Sequence, residues 1–521
     1  MMPGFGDQSD VIRLLSDPTT HGGEAVQRID THASVVFLAG SRALKLKRAV
    51  KYDYLDFSTT DARRRCCDAE LRINRRLAPT LYRGVLPIVR TSGGSLALGG
   101  EGTPVDWVVE MARFDQGALF DALAAAGRLD LSLMAPLAEE VAAFHEGCEP
   151  RPALGGEAGI RRVIEGNAAG LRAFGADTLA SAAGEALTGS ARQWLRRCGP
   201  LLESRRLSDS VRQCHGDLHL GNIVLLDGRP TLFDAIEFND DLACVDVMYD
   251  LAFLLMDLWH RGLKPHANAV LNAYLTVTQD IEALAALPLF LSCRAAIRAK
   301  TSATAASLQS SPEGQRQLRV RAREYLDLAT RVLSPPAAAI VAIGGLSGSG
   351  KSTVARALAP SFGAVPGAVV LRSDEIRKRL WGASPLTRLG PAAYTPEMSS
   401  RVYEALIDGA TAIPRSGHTV IVDAVFARSE DRSALERAAR AAAIPLAAVW
   451  LVAPERVLLE RVAPRELDAS DADVGVVRMQ CAQWANDVRW PQLDAARDLE
   501  TVAAAARTLL QTQIVTLSAA A

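Results

Sequence analysis

The sequence lacks several features that would place it in a specialised class of protein. Its 8 cysteines are scattered, with no C-x-x-C pair. This pattern does not resemble a disulfide framework or a zinc site and favours a reducing compartment. It also has no basic excess, because 58 Lys and Arg face 59 Asp and Glu. Since a dedicated binder of long nucleic acid is usually basic, we expect no such partner.

A long hydrophobic run is absent as well. The most apolar window, residues 248–259, is interrupted by Asp250 and Asp257. It is too short and too charged to span a bilayer, so it predicts a buried helix. The first ten residues contain neither the basic segment nor the apolar core of a signal peptide. We therefore expect a cytoplasmic protein with no membrane partner.

What is present is ordinary globular material. The 521 residues are 49% hydrophobic and 22% charged, which excludes a disordered chain. This length exceeds a single hydrophobic core, so more than one domain is expected.

The most informative motif is GGLSGSGKST at residues 344–353, which follows an apolar run and precedes a helical pattern. Strand, glycine-rich turn and helix N-terminus in this order are typical of a phosphate-binding loop. Lys351 is predicted to reach the β- and γ-phosphates and to act in catalysis, and Ser352 to bind Mg²⁺. An ordinary glycine turn is the alternative. The predicted nucleotide-binding residues are Gly345, Ser347, Gly348, Ser349, Gly350, Lys351, Ser352 and Thr353.

Two later apolar runs are followed by carboxylates. Residues 368–371 lead to Asp374, and residues 419–422 end in Asp423. Because ligands gather at the carboxyl ends of strands in open α/β sheets, Asp374 is predicted to lie near the phosphates. Four apolar residues and a carboxylate form the Walker B arrangement, so Asp423 is predicted to support Mg²⁺. Strands that alternate with helices predict a parallel sheet with helices on both faces.

Arg461 and Arg465 lie four residues apart at the end of a predicted helix. They would share one face, from which they could clamp transferring phosphate. The small and acidic residues that follow suit a closing lid. A salt-bridged surface helix is the alternative.

The first half begins with one predicted amphipathic helix within residues 10–30. Residues 34–38 and 43–47 are β-like and predict a hairpin. Lys45 and Lys47 would point to one face of its second strand, where one lysine could pair with nucleotide phosphates. An exposed edge strand protected by lysines is the alternative.

A small mixed β lobe is predicted around this hairpin. A helix over residues 60–77 carries Glu70, and strands are expected at residues 81–89 and 105–110. A largely helical region follows, from residue 120 to about residue 206.

A second motif, HGDLHLGN at residues 215–222, precedes a predicted hairpin about Asp227-Gly228. Asp217 lies in this loop, Asn222 is five residues later, and Asp234 follows the hairpin. This set suits phosphoryl transfer, with Asp217 as the base that orients a hydroxyl and with Asn222 and Asp234 as Mg²⁺ ligands. His215 and His219 are interpreted as structural.

The spacing resembles H-x-D-x-x-x-x-N followed by a metal-binding Asp in protein kinase-like folds, and HGDLHxGN resembles the aminoglycoside phosphotransferase and choline kinase branch. The resemblance extends over about residues 35–333. It implies that Lys45 contacts the phosphates, that Glu70 pairs with Lys45, and that the backbone from Glu110 to Ala112 meets adenine. It also implies that Asp250 supports the catalytic loop.

The sequence departs from this pattern at two places. Residues 31–34 (Thr-His-Ala-Ser) begin the first hairpin, where protein kinases carry a G-x-G-x-x-G cover over the phosphates. Ala235, Ile236 and Glu237 follow Asp234, so a role of Glu237 as a metal or substrate ligand stays open. A degenerate kinase fold without turnover is the alternative for this half.

Residues 339–514 resemble the small-molecule P-loop kinases: gluconate kinase, the chloramphenicol phosphotransferases and the zeta toxins, with an ATPase domain of the AAA type. This resemblance implies that Asp374 contacts the substrate hydroxyl. It also implies that Arg461 and Arg465 contact the nucleotide phosphates.

The predicted fold class is α/β and α+β in two domains. A bilobal protein kinase-like fold over residues 1–335 is followed by a P-loop NTPase fold over residues 336–521. Pro335 and Pro336 mark the boundary, since two prolines stop helix and strand alike.

We predict a tandem kinase that uses ATP and Mg²⁺ at two sites and phosphorylates small hydroxyl compounds such as sugars, amino sugars or antibiotics. One alternative is a single active half with a nucleotide-binding regulatory module. Another is that the C-terminal half acts on a nucleotide sugar or on a nucleic-acid end.

Overall fold

The structure is a computed structural model that describes residues 6–52, 54–175, 181–384, 387–463, 470–483 and 488–520. By contacts between Cα atoms the chain divides into two compact units. The first unit contains Met1–Gly166 and Leu195–Asp257, and the second contains Asn167–Trp194 and Leu258–Ala521. None of the helices within the described residues is long and apolar enough to cross a membrane.

The strands are β1 (Val26–Asp30), β2 (Ser34–Ala39), β3 (Arg42–Lys47), β4 (Lys51–Tyr52), β5 (Leu55–Asp56), β6 (Tyr82–Arg90), β7 (Leu96–Leu98), β8 (Thr103–Ala112), β9 (Val211–Gln213), β10 (Ile223–Leu226), β11 (Arg229–Leu232), β12 (Cys244–Asp246), β13 (Ile340–Gly345), β14 (Val369–Arg372), β15 (Val420–Asp423), β16 (Leu446–Val452) and β17 (Gln492–Asp494).

The helices are α1 (Ser9–Ser16), α2 (Thr60–Leu77), α3 (Phe120–Ala125), α4 (Met134–Gly147), α5 (Gly156–Gly175), α6 (Ser181–Leu207), α7 (Asp240–Ala243), α8 (Val247–His260), α9 (Lys264–Thr278), α10 (Leu287–Leu308), α11 (Pro312–Val332), α12 (Lys351–Leu358), α13 (Ser373–Trp381), α14 (Pro396–Arg415), α15 (Ser429–Ala441), α16 (Glu455–Val462), α17 (Val474–Gln483) and α18 (Leu499–Ala520).

The first unit contains a six-stranded antiparallel sheet in the order β1-β2-β3-β8-β6-β7. The predicted hairpin is confirmed as β2 and β3. Because β3 lies between β2 and β8, the alternative of an exposed edge strand is wrong. The side chains of Lys45 and Lys47 point towards α2 and donate to Glu70. An ammonium group in the interior needs such a partner.

The amphipathic helix predicted within residues 10–30 is α1, and it is followed by a strand that was not predicted. Helix α1 ends at Ser16, and β1 begins at Val26. Pro18 and the pair Gly22-Gly23, both at positive φ, lie between them. Proline removes a helix hydrogen bond and glycine lowers the cost of leaving the helix, so the chain turns and joins the sheet.

Helix α2 begins and ends where the sequence predicted. The Thr59 side chain accepts a hydrogen bond from the amide of Ala62 and caps its N-terminus. An apolar face that includes Cys67 packs with Val109 and Met111 of β8. This packing turns Glu70 towards the interior, where its side chain is fully buried.

The second unit contains a five-stranded parallel sheet in the order β14-β15-β13-β16-β17. Strand β13 is buried at every position, as expected for a strand covered on both faces. An apolar core joins β13 and β16 to α12 and α18. The predicted fold class is therefore confirmed, although the short edge strand β17 was not predicted.

Helix α9 covers the edge of this sheet that β14 forms. The Asn268 side chain donates to the carbonyls of Pro366 (3.2 Å) and Ala368 (3.0 Å). Asn272 accepts from the amide of Val370 (2.7 Å) and donates to the Ala368 carbonyl (3.2 Å). Two asparagines one helical turn apart thus satisfy backbone groups that an edge strand leaves unpaired. Helix α9 precedes the boundary predicted at Pro335, but these contacts group it with the P-loop sheet.

Candidate active sites

Lys45 is the centre of a buried ion-pair chain in the first unit. Its Nζ lies 2.9 Å from Oε1 of Glu70 and also forms an ion pair with Asp234. Burial alone would lower the pKa of Lys45, but the carboxylates of Asp234 and Glu70 raise it well above its usual value. Lys45 therefore stays charged, which its predicted role as a phosphate ligand requires.

Lys47 and Glu237 extend this chain. Lys47 Nζ lies 2.6 Å from Oε2 of Glu70, pairs with Glu237 and sits 4.9 Å from the centre of the Phe57 ring. Its side chain is 1% exposed and that of Glu237 is 4% exposed. Glu237, whose role the sequence left open, is thus a buried partner of Lys47 rather than an exposed ligand.

The HGDLHLGN loop brings Asp217 and Asn222 together. The Asn222 amide nitrogen donates to the backbone carbonyl of Asp217 (2.9 Å) and to its Oδ2 (3.2 Å). His219 accepts from the amide of Gly221 at Nδ1, which leaves Nε2 as the protonated nitrogen, 3.4 Å from Asp217 Oδ2. Two side chains from the same loop therefore fix the direction of the Asp217 carboxylate.

Asp250 supports the loop from beneath, at the position that the family resemblance implied. Its carboxylate accepts from the backbone amides of His215 (3.0 Å) and Gly216 (2.8 Å), and it lies 3.2 Å from the His145 ring. Ligand atoms of His145, Cys214 and Asp250 lie within 4.8 Å of one another. Because burial raises the pKa of the Cys214 thiol and Asp250 already accepts these amides, we interpret this cluster as structural.

Asp234 adopts a positive φ of 62° at the end of the β10–β11 hairpin. The Tyr82 hydroxyl accepts its backbone N–H (3.1 Å), and the Asn74 side chain accepts that of Ala235 (2.8 Å). His215 contacts the carbonyl of Phe233 at 2.9 Å, and burial lowers the pKa of this histidine. These partners hold the Asp234 backbone in a conformation that a non-glycine residue seldom adopts.

Glu110 and Ala112 occupy the last part of β8. Arg42 forms an ion pair with Glu110 at 2.8 Å, and the amide of Ala112 donates to the Leu81 carbonyl at 2.7 Å. The backbone of both residues pairs with β3. Their contact with adenine stays a prediction.

The P-loop of the second unit has a shape that only glycine permits at two positions. Gly345 has φ 146°, and a Cβ there would lie 2.7 Å from the carbonyl oxygen of Leu451. Gly348 has φ 86°, and a Cβ there would lie 2.6 Å from the carbonyl oxygen of Leu458. The loop can therefore pass close to two neighbouring backbones and curve before α12.

The other predicted loop residues surround this curve. Lys351 turns towards its own loop and donates to the Leu346 carbonyl at 3.0 Å. The amide of Ser347 donates to the Gln480 side chain at 2.9 Å. Ser349 is buried and its Oγ has no hydrogen-bond partner within the described residues, whereas Thr353 is exposed. Gly350 lies at the N-terminus of α12 with φ 89°.

Arg372 connects the carboxyl ends of β14 and β15 to the P-loop. It donates to Ser352 Oγ (3.1 Å), Asp423 Oδ2 (3.2 Å) and Glu375 Oε1 (3.0 Å). Asp374 lies beside this cluster, and burial raises its pKa, although Arg372 opposes that change. The predicted acceptor carboxylate and the predicted metal ligands thus lie together at the carboxyl ends of the parallel strands.

The structure describes one of the two predicted lid arginines, Arg461. Arg461 donates to the Ala495 carbonyl at 2.8 Å, and a Cβ on Gly350 would lie 3.9 Å from its Nη1. It therefore lies within reach of the P-loop. Arg465 lies outside the described residues.

Both donor sets suit Mg²⁺, which prefers oxygen ligands. In the first unit the NH₂ group of Asn222 donates to Asp217, which leaves the side-chain oxygen of Asn222 as a potential ligand, and the carboxylate of Asp234 is partly exposed. In the second unit Ser352 and Asp423 already share one cationic partner, Arg372.

The sequence did not indicate the Lys47–Glu237 pair or the role of Arg372. Lys47 and Glu237 lie 190 residues apart, and only the fold pairs them. Arg372 was noted only as the end of a strand, although its place two residues before Asp374, at a carboxyl strand end, could have indicated a site residue.

Two family models match separate parts of the chain. Residues 49–287 match the family described as "Phosphotransferase enzyme family", and residues 340–485 match the one described as "AAA domain". The uncharacterized protein Rv2004c of Mycobacterium tuberculosis (strain ATCC 25618 / H37Rv) is 28% identical over 474 residues, which are 90% of this chain and 92% of that protein.

Two solved structures are similar to parts of the chain. A gluconokinase from Sinorhizobium meliloti 1021 is 24% identical, covers 35% of this chain and 96% of its own, and has a TM-score of 0.26. The amicoumacin kinase hAmiN is 15% identical, covers 62% of this chain and 94% of its own, and has a TM-score of 0.38. Residues 49–287 are thus similar to a phosphotransferase family and residues 340–485 to an AAA domain, and on these two matches the chain is an ATP-dependent kinase.

Proposed function

We propose that the protein is a tandem phosphotransferase with two separate MgATP sites that act on small hydroxyl compounds, such as sugars, amino sugars or antibiotic-like molecules. The observation that carries the proposal is that each unit links its phosphate-binding groups to its predicted metal ligands. Lys45 pairs with Asp234 in the first unit. Ser352 of the P-loop is linked to Asp423 through Arg372 in the second.

In the N-terminal site Lys45 binds the phosphates, while Asn222 and Asp234 would hold Mg²⁺. Bound Mg²⁺ would neutralise charge on the phosphate oxygens. Asp217, directed by Asn222 and His219, orients the acceptor hydroxyl and takes its proton. The hydroxyl oxygen bonds to the γ-phosphorus as the bond to the β–γ bridging oxygen breaks, and ADP leaves.

In the C-terminal site Lys351 and the P-loop amides bind the phosphates, and Ser352 and Asp423 would hold Mg²⁺. Asp374 orients the acceptor. Burial raises the pKa of this carboxyl, so it is a better proton acceptor than an exposed aspartate. Arg461 lies near enough to the loop to stabilise charge on the transferring phosphate.

The test is ATP consumption screened against amino sugars, sugar acids, nucleosides and nucleotide sugars. Wild type is compared with Asp217→Asn and Lys351→Ala, each as the full chain. We expect kcat/KM to fall by at least about a hundredfold for one set of acceptors in each variant. The other set should be phosphorylated as in the wild type.

Two results would replace the proposal. If one variant retains every activity of the wild type, that half is a regulatory or binding module. If only nucleotide sugars or nucleic-acid ends are phosphorylated and Lys351→Ala abolishes this activity, the C-terminal half is a kinase of those substrates. Retention on a heparin column would also argue against the small-molecule assignment.

A further inference from the structure

Arg372 is buried at the centre of the P-loop site, with 5% of its surface exposed. Its guanidinium donates through Nη2 to Ser352, through Nε to Asp423 and through Nη1 to Glu375. Three N–H groups of one planar fork therefore reach three oxygen groups from three different segments. Arginine alone among the side chains offers this geometry.

Two of these three oxygen groups are the proposed metal ligands. The β14–β15 register places Arg372 opposite Asp423, so the side chain crosses the carboxyl end of the sheet to reach Ser352. A divalent cation at Ser352 and Asp423 would lie within a few ångströms of the guanidinium, about the separation of its own ligands. The two positive charges would repel each other strongly in a buried site.

Glu375 offers the guanidinium a second position. Its carboxylate already accepts from Nη1 at 3.0 Å and is 25% exposed, whereas that of Asp423 is 5% exposed. An arginine that leaves Ser352 and Asp423 therefore keeps one charge-assisted hydrogen bond and moves towards solvent.

We propose that Arg372 is a positioning residue that takes the place of the divalent cation at the P-loop site. It holds Ser352 and Asp423 together until a nucleotide brings Mg²⁺, and it then leaves both and keeps only its bond to Glu375. This inference rests on the proposed function, because it requires nucleotide binding by the P-loop. Its consequence is that nucleotide binds the wild-type site without Mg²⁺ only moderately more weakly than with it.

The measurement is the affinity for ADP by calorimetry, in excess EDTA and in excess Mg²⁺. The ratio of the two dissociation constants defines the Mg²⁺ coupling factor. The same titration on Lys351→Ala gives the contribution of the N-terminal site, which is subtracted. Arg356→Gln is the matched control, since Arg356 is exposed on α12.

We expect Arg372→Gln to raise the coupling factor by about tenfold, mainly through weaker binding in EDTA, because Asp423 then faces the phosphates without a cation. Glu375→Gln should lower the factor, because it removes the second position of the guanidinium and favours its stay at Ser352 and Asp423. Arg372→Lys should give an intermediate factor, since it keeps the charge and loses the fork.

Opposite changes in these two variants would support the proposal, since a purely structural arginine would weaken both affinities together. A wild-type coupling factor in Arg372→Gln, or equal loss in EDTA and in Mg²⁺, would overturn it. If Lys351→Ala binds as much ADP as wild type, the P-loop does not bind nucleotide, and the proposed function fails with the inference.

Discussion

Lys47 places its Nζ 2.6 Å from Oε2 of Glu70, the carboxylate whose other oxygen accepts from Lys45. One buried glutamate thus serves two lysines that lie two residues apart on β3. The second lysine in turn pairs with Glu237. Lys47 is the second cation in an ion-pair chain that also contains Lys45 and three carboxylates, those of Glu70, Glu237 and Asp234. Removal of one buried member leaves its partners unpaired, which is costly.

Lys47→Met is expected to lower the free energy of unfolding by about 3 kcal/mol or more, because Glu70 and Glu237 lose a buried partner. Urea denaturation provides the measurement. Lys51→Met is the control, since the Lys51–Asp56 pair is exposed and exposed ion pairs contribute little to stability. Equal stability of the two variants would contradict this account. The double variant Lys47→Met with Glu237→Gln should recover part of the lost free energy of unfolding.

Asp250→Asn is expected to impair the N-terminal site although Asp250 lies beneath the loop. An asparagine offers one acceptor oxygen where two backbone amides now donate, so the loop that carries Asp217 loses a bond worth about 1–3 kcal/mol. Turnover of the acceptors that depend on Asp217 should fall while nucleotide affinity changes little. Asp241→Asn, at an exposed pair with Arg162, serves as the control, and equal turnover in both would refute the prediction.

Asn272→Leu is expected to destabilise the second unit by about 1–3 kcal/mol, because the amide of Val370 and a bond to the Ala368 carbonyl lose their partner. Exposure of the β14 edge should also promote aggregation. Thermal unfolding and light scattering measure the two effects. Thr276→Ala, on an exposed turn of the same helix, should change neither of them, and comparable behaviour of both variants would count against the edge-covering role of α9.

The same contact predicts how fragments behave. A fragment that begins at residue 336 lacks α9, whereas one that begins at residue 258 retains it. We expect the shorter fragment to be less stable and more prone to aggregate, as judged by urea denaturation and sedimentation. If the two are equally stable and monomeric, the boundary at Pro335 and Pro336 is the better description of the domains.

His418 predicts a loss of stability in acid. Burial lowers its pKa to about 4, against an ordinary value of 6.5. Between these values the unfolded chain binds a proton that the folded chain does not, so stability falls as the pH drops from about 6.5 to 4, by up to about 3 kcal/mol. Urea denaturation at pH 7 and pH 4.5 should show a smaller loss for His418→Phe than for wild type. His266→Gln is the control, and parallel losses in wild type and His418→Phe would disprove the prediction.

Most elements of the fold could be predicted from the sequence because their signals are local. Helix α2 and the β2–β3 hairpin follow from caps, turns and apolar periodicity within a few residues. Within residues 10–30 the helix was predicted but strand β1 was not, because β1 forms through its pairing with β2. The three-residue strand β17 is too short to show a period.

The candidate sites were predictable where one motif carries several residues. Asp217 and Asn222 share one loop, and Lys351 and Ser352 share another, so their proximity follows from the chain itself. Glu237 stayed open because its partner, Lys47, is remote in sequence. The position of Arg372 at a carboxyl strand end could have indicated a site residue, but its partners Ser352 and Asp423 come from other segments and are known only from the fold.

The sequence by itself determined the two motifs and the order of the elements around them, since backbone preferences and hydrophobic periodicity act over neighbouring residues. The tertiary structure decided which charges neutralise one another: Glu70 with two lysines, Glu237 with Lys47, and Arg372 with Ser352 and Asp423. The physical reason is that a buried charge must find an opposite charge within a few ångströms. Distance along the chain places no limit on which residue provides it.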